Sequence, residues 1–304
     1  MKRCSTVGEH RRGRTVRGNV YAPSVKRLQP TEATMDLQNL PEYWDQISRA
    51  FASLDALQWP TRTDILSARA FDEAQPAGRR SYMEVVRYLG VARDNHEALV
   101  ALLEHHGATL WAPWSLLRPA FEASFLACWI LDPSDGAERR ARGLRCEILD
   151  AYEQRRHRSA FKVFPQVRRL IEDGEAGNEA GSISTYRAEA SALGRNFDKL
   201  NQRINVVDEL KKLTIAQSDP HFAPQLEATW RLLSGYEHGF GWAMLAGSDR
   251  SNEVAIPGGA SAHFVINDEA FVLAAKSTYL LLLTGCRLLR QRTDEPAQRA
   301  PRGQ

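Results

Sequence analysis

Glu227, Arg231, Ser234 and His238 follow one another at intervals of four, three and four residues. On a helix that spacing stacks all four on one stripe, because residues three and four apart lie one above the other. Such a polar stripe on an otherwise apolar helix marks either a functional site or a packed helix interface. Leu226, Trp230, Leu233, Phe240 and Met244 give the same segment apolar faces, so its polar stripe calls for partners. The competing use is structural, with the four groups satisfied by neighbours at a helix interface. Gly235 and Gly239 place small residues four apart, letting a helix or a ligand approach the backbone, at a cost of about 1 kcal/mol each against alanine in a helix interior.

Other chemistries fail on spacing. His96-Glu97 opens like the metalloprotease H-E-x-x-H, but Val100 stands where the second imidazole must be. Glu153 and His157 are four apart, which suits a salt link, and no pair of Glu-x-x-His motifs offers a di-iron site. His105 and His106 point about 100° apart on a helix and make poor joint ligands. A G-x-S-x-G elbow and a glycine-rich phosphate loop are both absent, which argues against an α/β hydrolase, a Rossmann enzyme or a P-loop enzyme. No metal and no cofactor are expected.

The elements that position the stripe are helical almost throughout. Trp44, Ile47, Phe51 and Leu54 predict a helix over Glu42 to Gln58. Ser81 and Glu84 have capping-box spacing and open a helix to His106. A third helix covers Trp114 to Asp132, with Pro119 kinking it or marking its start, and stops before Pro133. Asp135 and Glu138 repeat the capping-box spacing for a fourth helix running as far as Phe164. The glycine-rich acidic stretch over 172–182 reads as a loop, and Leu193 to Leu213 as one long helix. Pro224 starts the stripe helix, which continues through Met244. Asp268 to Arg292 is apolar nearly all round, as a helix central to a core or at an interface must be. Two β-prone runs flank Pro257-Gly258-Gly259. The expected fold is all-α, a multi-helix up-and-down bundle over 36–293 with a small β-hairpin or extended loop near 253–267.

With those helices placed, a resemblance can be stated. Arg231 and His238, six residues intervening, match the R-x4-6-H pattern of HEPN-family proteins, helical bundles that include metal-independent ribonuclease toxins and phage-defence effectors. Leu232 stands where the usual HEPN form carries a polar residue. Over Leu116 to Ala246, the segments LLRPAFEASFLACWILDP, ERRARGL and WRLLSGYEHGFGWA resemble a group of uncharacterised, largely actinobacterial helical proteins similar to HEPN bundles. That group carries an R-x-x-x-E helix and a later S-x-x-x-H helix, here Arg118, Glu122, Ser234 and His238. The resemblance implies a metal-free catalytic pair, His238 as general base or acid on a ribose 2′-hydroxyl and Arg231 stabilising the charge developing at phosphorus, supported by Arg118, Glu122, Ser234 and Glu227, and a two-fold homodimer. Arg118 and Glu122, one turn apart, should form an ion pair that extends toward the stripe.

Charge points the same way. Residues 138–169 carry a net +6, and within them Arg139, Arg142, Arg155 and Arg156 are candidates for nucleic-acid phosphates, RNA or another phosphate-bearing ligand being the expected partner. No aromatic residues alternate with them as a base-stacking platform requires. A second basic block, a net +6 over residues 1–34, has too few large apolar residues to offset its ordering entropy and reads as a disordered arm over 1–35. Met35 is an alternative start, and 294–304 reads as a disordered tail. Cys4, Cys128, Cys146 and Cys286 show no C-x-x-C spacing, and no apolar run follows the basic N-terminus as a secretory signal requires. The most apolar uncharged stretch, Ser277 to Cys286, has ten residues against the roughly 20 a membrane span needs. The expectation is a cytoplasmic protein with free thiols that does not engage a membrane.

Overall fold

The computed structural model describes residues 37–57, 66–165, 168 and 179–294. The arm and tail expected to be disordered lie outside these residues.

Among the described residues a short 3-10 turn, Leu37–Asn39, leads into twelve α-helices and one β-ribbon. The helices are α1 (Leu40–Asp55), α2 (Ala68–Glu73), α3 (Gly78–His106), α4 (Ala112–Leu131), α5 (Gly136–Phe161) and α6 (Glu179–Ala192). Then come α7 (Phe197–Leu200), α8 (Val206–Leu210), α9 (Thr214–Gln217), α10 (Phe222–Glu237), α11 (Gly241–Ala246) and α12 (Asp268–Asp294). Strands β1 (Ser248–Ile256) and β2 (Gly259–Ile266) pair antiparallel between α11 and α12. The chain is an all-α bundle with a small hairpin.

Two helices make the centre. α4 buries Trp114, Leu117, Phe121, Phe125, Trp129 and Ile130 in every direction around its axis, and packs against α3, α12, α10 and α5. Pro113 sits in its first turn, where no N–H is needed, and Pro119 lies inside the helix without ending it. α12 is the second core helix, with Phe271, Tyr279, Leu281 and Leu282 fully buried. It is long and apolar enough to cross a membrane by length and composition, which the uncharged runs of the sequence did not suggest, but 72% of its apolar window is buried inside the bundle. Cys128, Cys146 and Cys286 are buried free thiols. Burial pushes Cys146 and Cys286 up to about 12.

Three expectations are corrected. Ser81 does not cap α3, which begins at Gly78 with Ala77 as its cap residue. The Ser81 hydroxyl donates instead to the carbonyl oxygens of Ala77 (2.8 Å) and Arg140 (3.3 Å), at a crossing where a Cβ on Gly143 would come within 2.2 Å of it. The helix expected over Leu193 to Leu213 is two short ones, α7 and α8. Asn196 and Asn205 each turn a side-chain oxygen to a backbone N–H and start a new helix, and Gly194 takes φ +64° just before. The loop expected over 172–182 already enters α6 at Glu179. Asp135, by contrast, caps α5 as its spacing suggests, accepting from the N–H groups of Ala137 and Glu138.

The hairpin is longer than the sequence indicated, reaching back to Ser248, with Gly258 at φ +88° in the turn. A register shift between Ser251 and Val254, with Asn252 at φ +53°, interrupts β1.

Candidate functional site

α4 and α10 lie against each other, and the polar side chains at their seam form the candidate site. From α4 come Trp114, Arg118 and Glu122, successive residues four apart and therefore on one face. From α10 come Trp230, Tyr236 and Glu237.

Arg118 is the centre. Only 7% exposed, it sends Nε to Glu237 Oε2 at 3.1 Å and Nη2 to Glu122 Oε2 at 3.4 Å, and its guanidinium lies 5.1 Å from the Trp230 ring centroid. The pair expected between Arg118 and Glu122 is present, and it reaches α10 through Glu237. Both carboxylates are about half exposed, so the charged cluster opens to water on one side. One turn along α4, Trp114 stacks on Tyr236 with centroids 4.5 Å apart and planes 11° apart, and Trp111 meets the same tyrosine edge-on. Burial raises Tyr236 to about 12. Gly247 closes this corner. A Cβ there would lie 2.5 Å from the Tyr236 hydroxyl and 2.9 Å from Trp114 Cζ2.

Four buried groups on this seam lack a hydrogen-bond partner: Trp114 Nε1, Arg118 Nη1, Trp230 Nε1 and the Tyr236 hydroxyl. All four can donate, so what they lack in common is an acceptor. Leaving a buried donor unmatched costs about 1–3 kcal/mol, which marks the seam as a place where acceptors are in demand.

The stripe expected on α10 is placed differently. Glu227 accepts from Arg231 Nη2 at 2.8 Å and Nε at 2.9 Å, and from Lys211 Nζ at 2.7 Å. These two cations hold the Glu227 carboxyl below its ordinary value, through hydrogen bonds first from Lys211 and then from Arg231. Arg231 faces solvent, and Ser234 is half-buried between it and the seam. The helix expected to run through Met244 ends at Glu237. His238 caps it, its N–H going to Ser234 O at 3.1 Å, and Gly239 at φ +65° turns the chain into α11. His238 is exposed, with its ring 5.6 Å from Phe240, and no hydrogen bond joins it to Arg231. The element that approaches Gly235 is α11. A Cβ on Gly235 would meet Ala243 Cβ at 2.6 Å and Trp242 Cζ2 at 2.7 Å.

No protein-family model, curated protein or solved structure matches the chain.

The basic helix α5 spends much of its charge inside the protein. Arg139 is buried against Asp72, with Nη2 at 2.7 Å and Nε at 2.8 Å, and its Nη1 donates to the carbonyls of Pro133 and Ser134. It is therefore withdrawn as a phosphate contact. Arg142 pairs with Glu138 and donates to Trp129 O. Arg155 and Arg156 are exposed, Arg156 bonded to Glu153 at 2.6 Å. Among the described residues no group of three His, Cys, Asp or Glu side chains is placed to hold a metal ion.

Sequence reasoning missed Glu237, Trp230, Trp114 and Tyr236. Trp230 and Glu237, seven apart on the helix, share a face next to the stripe, and Trp114 stands four before Arg118. That spacing was the available signal.

Proposed function

We propose that this chain is a helical binding protein, HEPN-like in setting an R-x-x-x-E helix against an S-x-x-x-H helix. Its α4–α10 seam receives the phosphate of an RNA or another phosphate-bearing ligand. The observation that carries the reading is the set of four buried donors without acceptors along the α4–α10 seam, Arg118 Nη1 among them. A guanidinium offers a planar fork that matches phosphate oxygens two at a time. An incoming phosphate must compete with Glu122 and Glu237. Half-exposed ion pairs are worth only about 0–1 kcal/mol each, so that competition is a weak barrier.

Catalysis is not needed to account for the arrangement. Arg231 already gives two of its donors to Glu227, and His238 lies beyond the end of the helix that was expected to align the two. One observation favours a second reading as a metal-independent ribonuclease: Arg231 on α10 and His238 just past its end both reach solvent.

One experiment separates the readings. A fluorescent single-stranded RNA is titrated with the full chain in chelator, following anisotropy and strand length together. The binding reading expects saturation without cleavage, weakened about tenfold in Arg118→Lys because an ammonium lacks the fork. Cleavage lost in His238→Ala at an unchanged melting temperature establishes the enzyme instead. No RNA binding, with inorganic phosphate also leaving the melting temperature unmoved, overturns both.

A further inference from the structure

α1 and α3 enclose a groove of about 370 Å³, lined by Trp44, Phe51 and Val100, with His96 in its floor. Its volume falls within the usual range for small-molecule sites, about 300–1,000 Å³. The floor is apolar and aromatic. Ile47 and Phe51 are buried core residues, and Trp44 is fixed by donating Nε1 to the Tyr279 hydroxyl at 3.2 Å.

His96 is the polar group in that floor. It is 4% exposed, its ring stands edge-on to Tyr279 at 5.1 Å, and its Nδ1 is buried without a partner. Burial lowers its pKa to about 4, so near pH 7 the imidazole is neutral and does not repel a cation. The rim is acidic. Asp55, Glu97 and Glu104 line the groove against a single cation, Arg93. Arg93 bonds Glu97 at 2.8 Å and Asp55 at 3.2 Å, while Glu104 is exposed and makes no ion pair among the described residues. The groove thus joins an apolar floor, a neutral buried imidazole and a rim of net negative charge.

We infer that the α1–α3 groove binds a small amine: a compact apolar or aromatic body lying on Trp44 and Phe51, with its ammonium held at the rim by Glu97 and Glu104. A carboxylate of the same shape is repelled at that rim. A neutral alcohol gains only the floor. This site is separate from the α4–α10 seam and does not depend on what binds there.

Phenethylamine, phenethyl alcohol and hydrocinnamate serve as probes of matched size, titrated into the full chain at pH 7 by calorimetry and by the change in tryptophan fluorescence that Trp44→Phe should remove. Phenethylamine should saturate one site. Hydrocinnamate should bind at least about tenfold more weakly, the combined effect of one surface attraction lost and one repulsion gained. Glu97→Gln with Glu104→Gln should remove that preference. Both residues are exposed, so the variant should melt as the parent does. Ala101→Lys sets a competing cation among the lining residues and should abolish phenethylamine binding. The inference is overturned if phenethylamine does not saturate, if hydrocinnamate binds as tightly, or if either variant binds phenethylamine like the parent.

Discussion

Asp72 and Arg139 form an ion pair whose side chains are 0% and 4% exposed, tying the end of α2 to the first turn of α5. Tyr82 of α3 donates to the same carboxylate oxygen at 3.0 Å, so three helices meet on one group. The other oxygen, Oδ1, lies 2.2 Å from where a Cβ on Gly136 would be. Glycine at that position lets the helix backbone pass over the carboxylate.

Removing one member should therefore be costly. Arg139→Met leaves a buried carboxylate without its cation and should lower unfolding stability by about 3–5 kcal/mol. Gly136→Ala should cost about 1–3 kcal/mol by overpacking the same point. Urea denaturation measures both, and a change under 1 kcal/mol in Arg139→Met would show that the pair is not formed.

Arg118 makes a contrasting case. Its partners Glu122 and Glu237 are half exposed and rehydrate when the cation goes. Glu237→Gln should change stability by less than about 1 kcal/mol. Arg118→Met, which keeps the packing on Trp230, should cost about 1–2 kcal/mol. If Arg118→Met is as damaging as Arg139→Met, the seam is a structural clamp and the binding reading loses its support.

His96 gives the protein a pH dependence. Its pKa falls from 6.5 in the unfolded chain to about 4 in the fold, because burial disfavours the charged ring. Between these values the unfolded state binds the extra proton, so stability rises with pH through this window and falls as the solution is acidified. Above pH 6.5 the effect is absent. Over the whole window the loss is on the order of 3 kcal/mol. Chemical denaturation of the parent and of His96→Phe at pH 7, 5.5 and 4 isolates it, and parallel curves for the two proteins would refute it.

Leu281 of α12 is fully buried, and its carbonyl accepts from Cys128 Sγ at 3.0 Å on α4. Leu281→Asp places a charge between the two central helices and should abolish cooperative unfolding or leave the protein insoluble, a loss of more than about 4 kcal/mol. A soluble variant with an unchanged circular-dichroism melt would contradict the position of α12 in the core.

The long helices were legible because their signal is local and repeated. Trp44, Ile47, Phe51 and Leu54 recur with the helical period, and Asp135 stands where a cap must be. What was not legible depended on single residues overriding a period. Leu193, Phe197, Leu200, Ile204, Val207 and Leu210 keep helical spacing, yet Asn196 and Asn205 satisfy backbone N–H groups that only a new helix start exposes. Gly239 likewise detached His238 from the helix that carries Arg231. For the site, Arg118 and Glu122 are neighbours in the local pattern, whereas Glu237 reaches Arg118 across 119 residues. No periodicity reports a contact at that separation, and the burial of Arg139 depends on a partner 67 residues away.

α12 is the last described element to leave the ribosome, yet it packs on α1, α2, α3, α4 and α10. While it is still being synthesised, α4 has no partner for the face that carries Cys128, and the earlier helices cannot close around it. At translation rates of about 5–20 residues per second, the 27 residues of α12 leave the bundle open for one to several seconds. The architecture thus makes closure of the bundle wait for the last of its described helices, and leaves apolar helix faces open to chaperones until that helix arrives.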